Sequence, residues 1–420
     1  MSGTEAMPIL HLSLITGGAL RDGQGGQLGR VSDVVVRLGA DYPEVSGVLA
    51  TVAGRPVFVP AEAINEVAHQ HVDLGQMRLD LRPFERRPEE VLLKKDVLDR
   101  QLINVDGARL VRTNEIELAR VDGWYRVVGV DTGLRGLTRR VLPRRLAARV
   151  HAGKFLDWAS VEPFTGHVPT VRLRVPHPKL ARLHPAQLAD LVEAASHREG
   201  VEIMSALEDE ELEADVFEEL DPRHQQEFIA ERSDAEIAAV LARMESDDAV
   251  DLLSELDEPR RTRIVALLPA LQARRVRALA GYDPATAGGL MSPDFICLRS
   301  TATRSEALAR IKRGQIKPNS ITSIYSMSHD RRLQGEITLA DLIRADDDAV
   351  LADIATSMPR TVTTGAEIEE IARMMTDYDL NIVAVVDDHQ AMQGVVTVDD
   401  VLELVLPRGW QRRFDLFGGD

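Results

Sequence analysis

The candidate functional groups of this sequence are closely spaced carboxylates, which can bind cations. Asp247 and Asp251, in the stretch ESDDAVDLL, stand four positions apart, so a helix places both on one face. Like charges at that spacing repel by about 0.2–0.5 kcal/mol unless a cation lies between them. The pair therefore favours a cation-binding face.

The surroundings of this pair carry the charge imbalance of the whole chain. Residues 201–260 contain 21 Asp and Glu against four Arg and no Lys, an excess that equals the formal net charge of −17. Such a segment indicates a local function in binding cations or basic partners. The alternative is a solvated helical face that is acidic for solubility.

Other kinds of chemistry find no support in the sequence. It contains no His/Cys zinc cluster, Walker A loop, nucleophile elbow or metalloprotease helix, so we expect no enzyme. The single Cys297 cannot form an internal disulfide, and no secretory leader is recognisable, which favours a reducing cytoplasm. No apolar run approaches the roughly 18 residues that span a bilayer, so we expect neither a channel nor a carrier.

The elements that must position the carboxylates begin with a β-rich N-terminal region. Short apolar strands such as GRVSDVVVRL, EVSGVLATV and GRPVFVPAEAI alternate with Gly and Pro turns, and a similar order recurs at about 91–141. The region resembles PRC-barrel domains through GRVSDVVV, VFVPAEAI and KKDVLDRQLINVDGARLVR. That resemblance implies two small β-barrel-like units that dock partners without a particular chemistry.

A cluster of basic side chains follows these strands. It consists of Arg135, Arg139, Arg140, Arg144, Arg145 and Arg149. Such a cluster could meet RNA or acidic lipid. The alternatives are a solvated basic helix and an internal contact with the acidic segment.

Short amphipathic helices are predicted from about 184 to 282. The units ADLVEAA, ADVFEEL and VDLLSEL recur there, and repeated helices stack because none can bury its apolar face alone. The acidic window therefore lies on a helical array. The stretch YDPATAGGLMSP follows, and its adjacent glycines suit a positive φ or a close backbone approach. We interpret it as a bendable joint between two folded parts.

A repeat of strand, turn, strand and helix follows the joint. LQGEITLADLI at 333–343 matches MQGVVTVDDVL at 392–402, an offset of 59 residues. The repeat resembles a tandem pair of CBS domains, whose signature Gly-x-x-Thr-x-x-Asp occurs twice. Its residues here are Gly335, Thr338 and Asp341, and again Gly394, Thr397 and Asp400.

Residues 180–405 together resemble the cytosolic part of the MgtE-type magnesium transporter family. The resemblance implies that Mg²⁺ ions between the helical domain and the CBS domains hold a closed arrangement. Carried over to this sequence, the family's ligands are Asp215, Asp247, Asp251, Glu367, Glu369, Asp379, Asp400 and Glu403. Mg²⁺ takes oxygen ligands and retains waters, so loose carboxylate clusters suit it.

Several of these acids also have a structural interpretation. Thr364 with Glu367, and Thr397 with Asp400, have the spacing of helix-capping pairs. Asp379 and Glu403 could be ordinary surface acids.

Adenine-nucleotide sensing is a second function for a CBS pair. Thr338, Asp341 and Thr397 are its candidate residues, although Ala340 stands where a basic side chain would help to hold phosphate. RNA or ribosome docking by the barrels is a third function.

The predicted fold class is multidomain α+β: two β-barrel-like units, an α-helical array and a tandem α/β CBS pair. The predicted parts are 1–78 and 79–150 for the barrel-like units, 151–183 for a linker, 184–282 for the helices, 283–408 for the CBS pair (about 290–345 and 357–406) and 409–420 for a tail. Pro407 and Gly409 break any continuing helix, so we expect neither the family's connecting helix nor its pore. Trp410, Phe414 and Phe417 in the tail could dock on a partner or membrane, or fold back.

The predicted function is a soluble, cytoplasmic, magnesium-responsive regulator. It would form a homodimer through its CBS pair and act on a separate membrane transporter, with peripheral membrane contact as an alternative location. Nucleic acid is not expected as a partner.

Overall fold

The computed structural model describes residues 9–75, 84–87, 90–133, 155–164, 179–313, 322–355 and 358–406. The chain divides into two compact units, residues 1–228 and residues 229–420. Within the described ranges, no helix is both long and apolar enough to cross a membrane. The arginine cluster at 135–149 and the aromatic side chains of the tail lie outside these ranges.

The first unit begins with a region of short strands and one helical turn, α1 (Leu12–Ile15). Its strands are β1 (Leu10–His11), β2 (Ala19–Arg21), β3 (Gln27–Arg37), β4 (Glu44–Val52), β5 (Arg55–Pro60), β6 (Ile64–Val67), β7 (His71–Leu74), β8 (Glu90–Leu92), β9 (Gln101–Asn104), β10 (Arg109–Arg112), β11 (Glu115–Val121), β12 (Trp124–Asp131), β13 (Phe155–Asp157) and β14 (Val161–Pro163).

Strands from both predicted barrel-like regions join in one 11-stranded sheet. The central order is β1-β11-β12-β4-β3-β2-β7-β6, while β9, β10 and β14 form a separate three-stranded sheet. A single cluster of buried side chains draws on both regions, from Leu10 to Val161. The two regions therefore share a core, a feature that the repeated strand order did not predict.

A buried carboxylate ties β3 to the turn that follows β8. Asp33 accepts backbone N–H bonds from Val34 and Lys94 at Oδ1, both at 2.8 Å, and from Lys95 at Oδ2 at 3.1 Å. The turn, Leu93–Val97, is one turn of π-helix. Burial, the largest cause, raises the pKa of Asp33 to about 6 although these bonds lower it.

The first unit continues into helices. They are α2 (Pro185–Ala194), α3 (His197–Ala206), α4 (Glu210–Glu219) and α5 (Pro222–Glu231), the last of which contains the boundary between the units. Ser196 and Glu199 form a capping box at the start of α3. In such a box the two side chains accept hydrogen bonds from backbone N–H groups that have no partner within the helix. Helix α4 buries Ala214, Val216 and Phe217, and its acids are partly or fully exposed.

Four further helices open the second unit. They are α6 (Asp234–Leu241), α7 (Ser246–Ser254), α8 (Glu258–Leu267) and α9 (Ala270–Leu279). Arg260 of α8 donates to Asp234 at 3.1 Å and to the carbonyl groups of Ile229 and Arg232, each at 2.9 Å. This guanidinium links α8 to the start of α6 and satisfies carbonyl groups at the end of α5.

Two similar α/β modules complete the second unit. The first contains β15 (Cys297–Arg299), α11 (Arg304–Lys312), β16 (Ser323–Met327), β17 (Leu333–Thr338), α12 (Leu339–Arg344) and α13 (Leu351–Ile354). The second contains β18 (Thr361–Thr363), α14 (Ile368–Tyr378), β19 (Ile382–Val386), β20 (Met392–Thr397) and α15 (Val398–Val405). In each sheet the middle strand pairs parallel with the first and antiparallel with the last. The predicted fold class, including the tandem CBS pair, is confirmed.

The glycine stretch between the helices and the modules is closely packed, so of the two explanations for its glycines the close backbone approach is confirmed and a positive φ is not. Ala287–Leu290 forms one helical turn, α10, whose first N–H groups bond to the carbonyl groups of Ala366 (2.9 Å) and Thr364 (2.8 Å). A Cβ at Gly288 would lie 2.6 Å from the ring of Tyr282, and one at Gly289 would lie 2.4 Å from a backbone carbonyl oxygen. Neither glycine lies in the left-handed region, so close approach is what requires them.

Candidate cation site in the second unit

The N-terminus of α7 is the most acidic helix start of the second unit's helical array. Glu245 is its N-cap residue, and Asp247 and Asp248 occupy its first turn. Ser246 between them is fully buried and lies 3.4 Å from Gln272 of α9 through their side-chain oxygens. The favourable interaction of acids with the positive end of a helix explains why they collect there.

The N-terminus of α15 supplies a second group of acids. Thr397 and Asp400 form a capping box: the Thr397 N–H donates to Asp400 Oδ2 at 2.8 Å, and the Asp400 N–H donates to Thr397 Oγ1 at 3.4 Å. Asp399 lies in the same first turn and is exposed. The structural interpretation of Thr397 with Asp400 is therefore correct.

The acids at the two helix starts interact electrostatically. The pKa of Asp400 is raised to about 6: burial is the largest cause, and the carboxylates of Glu245 and Asp399 act in the same direction. Hydrogen bonds from Thr397 act in the opposite direction. Glu245 of the helical array and Asp400 of the second CBS module therefore lie near enough for their charges to interact.

A shared apolar core holds these helices in place. Leu279 of α9 belongs to the same buried cluster as Ile371, Met375 and Val401 of the second CBS module, and Val250 of α7 packs against it. An ion pair adds to this contact, since Arg275 Nη2 lies 2.6 Å from Asp294 Oδ1. The position of the acids at α7 is thus fixed by packing and not by the acids themselves.

The sequence-predicted ligands fall into separate places. Asp247 is partly buried with Oδ1 enclosed, and Asp251 is exposed one turn further along α7. Asp215 lies on α4 of the first unit. Glu403 lies in α15, but its side chain is outside the described part of the chain.

The remaining predicted ligands lie at opposite ends of α14. Glu367 is the N-cap residue and Glu369 is in the first turn, whereas Asp379 ends the helix in the left-handed conformation with φ 56°. An α-helix rises about 1.5 Å per residue, so Asp379 lies roughly 18 Å from Glu367 and cannot share one ion with it. The side chain of Glu367 makes no cap hydrogen bond, so its predicted capping pair with Thr364 does not form.

Glu245 is the acid that sequence reasoning missed. It stands two positions before Asp247 in the same quoted stretch, and a search for every acid near the start of α7 would have included it. Its electrostatic effect on Asp400 depends on the tertiary fold, which no local pattern reports.

The candidate nucleotide residues are engaged in helix capping. Thr338 caps α12: its Oγ1 lies 2.8 Å from Asp341 Oδ2 and accepts the Asp341 N–H at 3.1 Å. Thr397 caps α15 in the same way. The two modules are thus equivalent at this position, and each hydroxyl group has a structural role.

A second cluster of metal-compatible groups lies in the first unit. One ligand atom from each of Glu193, Asp221 and His224 comes within 4.8 Å of the others. Glu193 accepts the Asp221 N–H at 2.7 Å, and Asp221 accepts the His224 N–H at 2.9 Å. These bonds link α2 to the start of α5, which accounts for the cluster without an ion.

Comparison with known families agrees with this architecture. Residues 183–285 match the MgtE intracellular N domain, and residues 287–348 and 351–407 each match the CBS domain. The stretch 183–407 is homologous to the cytosolic region of MgtE. The magnesium transporter MgtE of Thermus thermophilus is 31% identical over 229 residues, which are 54% of this chain and 51% of that protein. The chain therefore spans about half the length of this MgtE relative.

Two solved structures of MgtE parts are similar as well. The cytosolic domain of the Mg²⁺ channel MgtE in complex with ATP is 31% identical, with a TM-score of 0.51 over 54% of this chain and 92% of that one. The soluble part of a magnesium transporter is 28% identical, with a TM-score of 0.51 over 54% and 90%. The MgtE-like region thus contains both α7 and α15, which carry the acids described above.

Proposed function

We propose that this protein is a magnesium-responsive regulator in which Mg²⁺ binds between the start of α7 and the start of α15. The observation that carries the proposal is the effect of Glu245 on Asp400 across the contact between the helical array and the second CBS module. The similarity to MgtE proteins, which are named for magnesium transport, supports the choice of ion.

Electrostatics gives the ion its effect on conformation. Two unit charges about 4 Å apart interact by about 4 kcal/mol at the effective dielectric of a protein surface, so facing acids oppose contact. A divalent cation among Glu245, Asp247 and Asp400 reverses the sign of that interaction. Magnesium concentration then sets the fraction of molecules in which these helices are held together.

The residues fit Mg²⁺ in kind. Three carboxylates with partly open surroundings leave room for the waters that Mg²⁺ retains. Asp251, Glu367, Glu369, Asp379, Glu403 and Asp215 remain proposed ligands of further ions, since one ion cannot be shared by all of them. The conformational change would alter the binding of a separate membrane transporter.

Hydrogen exchange measured with and without Mg²⁺ tests this proposal. Millimolar Mg²⁺ should slow amide exchange in peptides from α7 and α15, whereas added NaCl of equal ionic strength should not. The Asp400→Asn variant should lose the effect, and Asp388→Asn, which neutralises an exposed acid elsewhere in the same module, should retain it. Equal exchange with and without Mg²⁺ in the unaltered protein would refute the proposal.

Adenine-nucleotide binding is a second candidate function. It is favoured by the ATP complex of the similar MgtE cytosolic domain. Thr338, Asp341 and Thr397 are the proposed contacts. Calorimetry with ATP and with AMP in magnesium-free buffer separates this function from ion sensing, because Thr338→Val should weaken nucleotide binding and leave Mg²⁺ binding unchanged.

A homodimer through the CBS pair completes the proposal. Helix α15 and the residue after it expose Leu402, Leu404, Val405 and Leu406, with exposed fractions of 43%, 55%, 57% and 37%. An apolar surface of this kind marks an interaction site. Light scattering should give twice the chain mass for the unaltered protein and a lower mass for Leu404→Glu with Val405→Glu.

A further inference from the structure

The turn between α8 and α9 exposes an apolar surface that the proposed ion site does not use. The α8–α9 tip, defined here as residues 266–271 with the sequence ALLPAL, has five exposed residues and one buried residue, Leu268. The exposed fractions of Leu267 and Leu271 are 54% and 53%. These leucines flank Pro269 and leave about half of their apolar surface in water, a feature of interaction sites when other groups beside it also suit a partner.

The helix that leaves the tip is oriented by its buried side. Gln272 and Ala273 point inwards, and Gln272 Nε2 donates to the carbonyl groups of Leu241 and Met244, each at 3.2 Å. Leu271, Arg274 and Ala278 recur on the opposite, exposed face of α9 at helical spacing. The packing of α9 therefore directs Leu271 and the arginines outwards together.

The residues that flank the tip are basic, although the protein is acidic. Residues 261–281 contain five arginines and no Asp or Glu, although the chain has a net charge of −17. Arg263 is paired with Asp234 and Arg275 with Asp294. Arg261, Arg274 and Arg277 have no carboxylate within ion-pair distance among the described residues. Their guanidinium groups remain available to an external anion.

We propose that the α8–α9 tip docks on an anionic lipid bilayer surface. The leucines enter the boundary between headgroups and acyl chains, and Arg274 and Arg277 contact lipid phosphates, which guanidinium groups bind with two parallel hydrogen bonds. Each basic residue near such a surface is attracted by its negative potential. The combination of apolar and basic groups favours a bilayer as the partner, because a bilayer surface presents acyl chains and lipid phosphates side by side.

An acidic face of a second copy of this chain fits less well. Helix α4, whose first turn carries three Glu residues, buries Val216 and Phe217 and exposes no large apolar side chain to meet the leucines. The acids of α4 would pair with the arginines, but the leucines of the tip would remain exposed to water.

Co-sedimentation of the full chain with lipid vesicles tests the inference. The buffer should be magnesium-free, so that the result is independent of the proposed ion site. Vesicles of phosphatidylcholine with an equal amount of phosphatidylglycerol should bind the unaltered protein, and vesicles of phosphatidylcholine alone should bind it much less. The variants Leu267→Glu with Leu271→Glu, and Arg274→Gln with Arg277→Gln, should each lower the affinity by about tenfold or more.

Ile343→Glu is the matched control, because Ile343 is an exposed apolar residue, 61% accessible, on a different helix, α12. It should bind vesicles as the unaltered protein does. Circular dichroism checks that every variant is folded. Absence of binding to anionic vesicles would overturn the inference, as would equal binding to both vesicle types or unchanged binding by the tip variants.

Discussion

Glu245 at the start of α7 raises the pKa of Asp400 at the start of α15. The two residues belong to different family matches, the MgtE intracellular N domain and the second CBS domain. Both are held by elements that pack on one apolar cluster, so their proximity is imposed by the core. Like charges held near each other in this way disfavour the ionised form of each carboxyl group.

Removal of the Glu245 charge should stabilise this contact when no ion is present. We expect Glu245→Gln to raise the local free energy of opening of α7 by up to about 1 kcal/mol in magnesium-free buffer, because one member of a like-charge pair is gone. Hydrogen exchange of α7 peptides measures it. The increase in protection of α7 on adding Mg²⁺ should be smaller in the variant. Faster α7 exchange in the variant than in the unaltered protein, both without Mg²⁺, would contradict the prediction.

The glycine at the packed joint should resist substitution. Gly288→Ala places a methyl group 2.6 Å from the Tyr282 ring and 2.9 Å from the Thr364 carbonyl oxygen, which should cost about 1–3 kcal/mol. Gly365→Ala is the matched control, since nothing lies within 4 Å of its added Cβ. Exchange of peptides from β18 and α14 should increase in the first variant only. Equal exchange in the two variants would show that the backbone around Gly288 can shift to accommodate the added methyl group.

The ion pair between Arg275 of α9 and Asp294, which precedes the first CBS module, should contribute to stability. Arg275 and Asp294 have side chains that are 25% and 19% exposed, so water screens them only in part. A double-mutant cycle with Arg275→Met and Asp294→Asn should give a coupling energy of about 1 kcal/mol. A value indistinguishable from zero would assign the contact between α9 and the modules to the apolar cluster alone.

The first unit should become more stable as the pH falls. Folding raises the pKa of Asp33 from 3.8 to about 6, so the folded state holds the proton more tightly than the unfolded state. This contribution is fully present below about pH 4 and is lost as the pH rises through about 6. Between about pH 7.5 and about pH 5 it should add about 1 kcal/mol.

Asp33→Asn provides the comparison. Its amide oxygen can accept the Val34 and Lys94 bonds, while the Lys95 bond is lost, so the variant is weaker near pH 5 but lacks this pH dependence. Denaturant unfolding followed by fluorescence of Trp158, which is buried in the same core, reports on the unit. Parallel pH profiles of the two proteins would rule out Asp33 as the titrating group.

The local parts of the fold could be predicted from the sequence. The 59-residue repeat gave both CBS modules, and the structure places Ser323 opposite Thr338 and Ile382 opposite Thr397 in equivalent registers. The capping role of Thr397 with Asp400 followed from spacing, because it depends on neighbouring residues only. Asp247 and Asp251 likewise share α7, as their spacing required.

Features that depend on distant contacts were missed or misjudged. Glu367 became the N-cap residue in place of Thr364, and its backbone pairs with Thr286 of the joint. The sequence offered two explanations for the glycines of the joint, and close packing against Tyr282 and Thr364 is the one that the structure supports. The effect of Glu245 on Asp400 requires the docking of α7 and α9 on the second CBS module, which no local pattern encodes.

Isothermal titration calorimetry with MgCl₂ tests the central claim most directly. The unaltered protein should bind Mg²⁺ saturably in the millimolar range, Asp247→Asn with Asp400→Asn should weaken this binding by about tenfold or more, and Asp388→Asn should leave it unchanged. Absence of saturable binding in the unaltered protein, or equal binding by the double variant, would contradict the account.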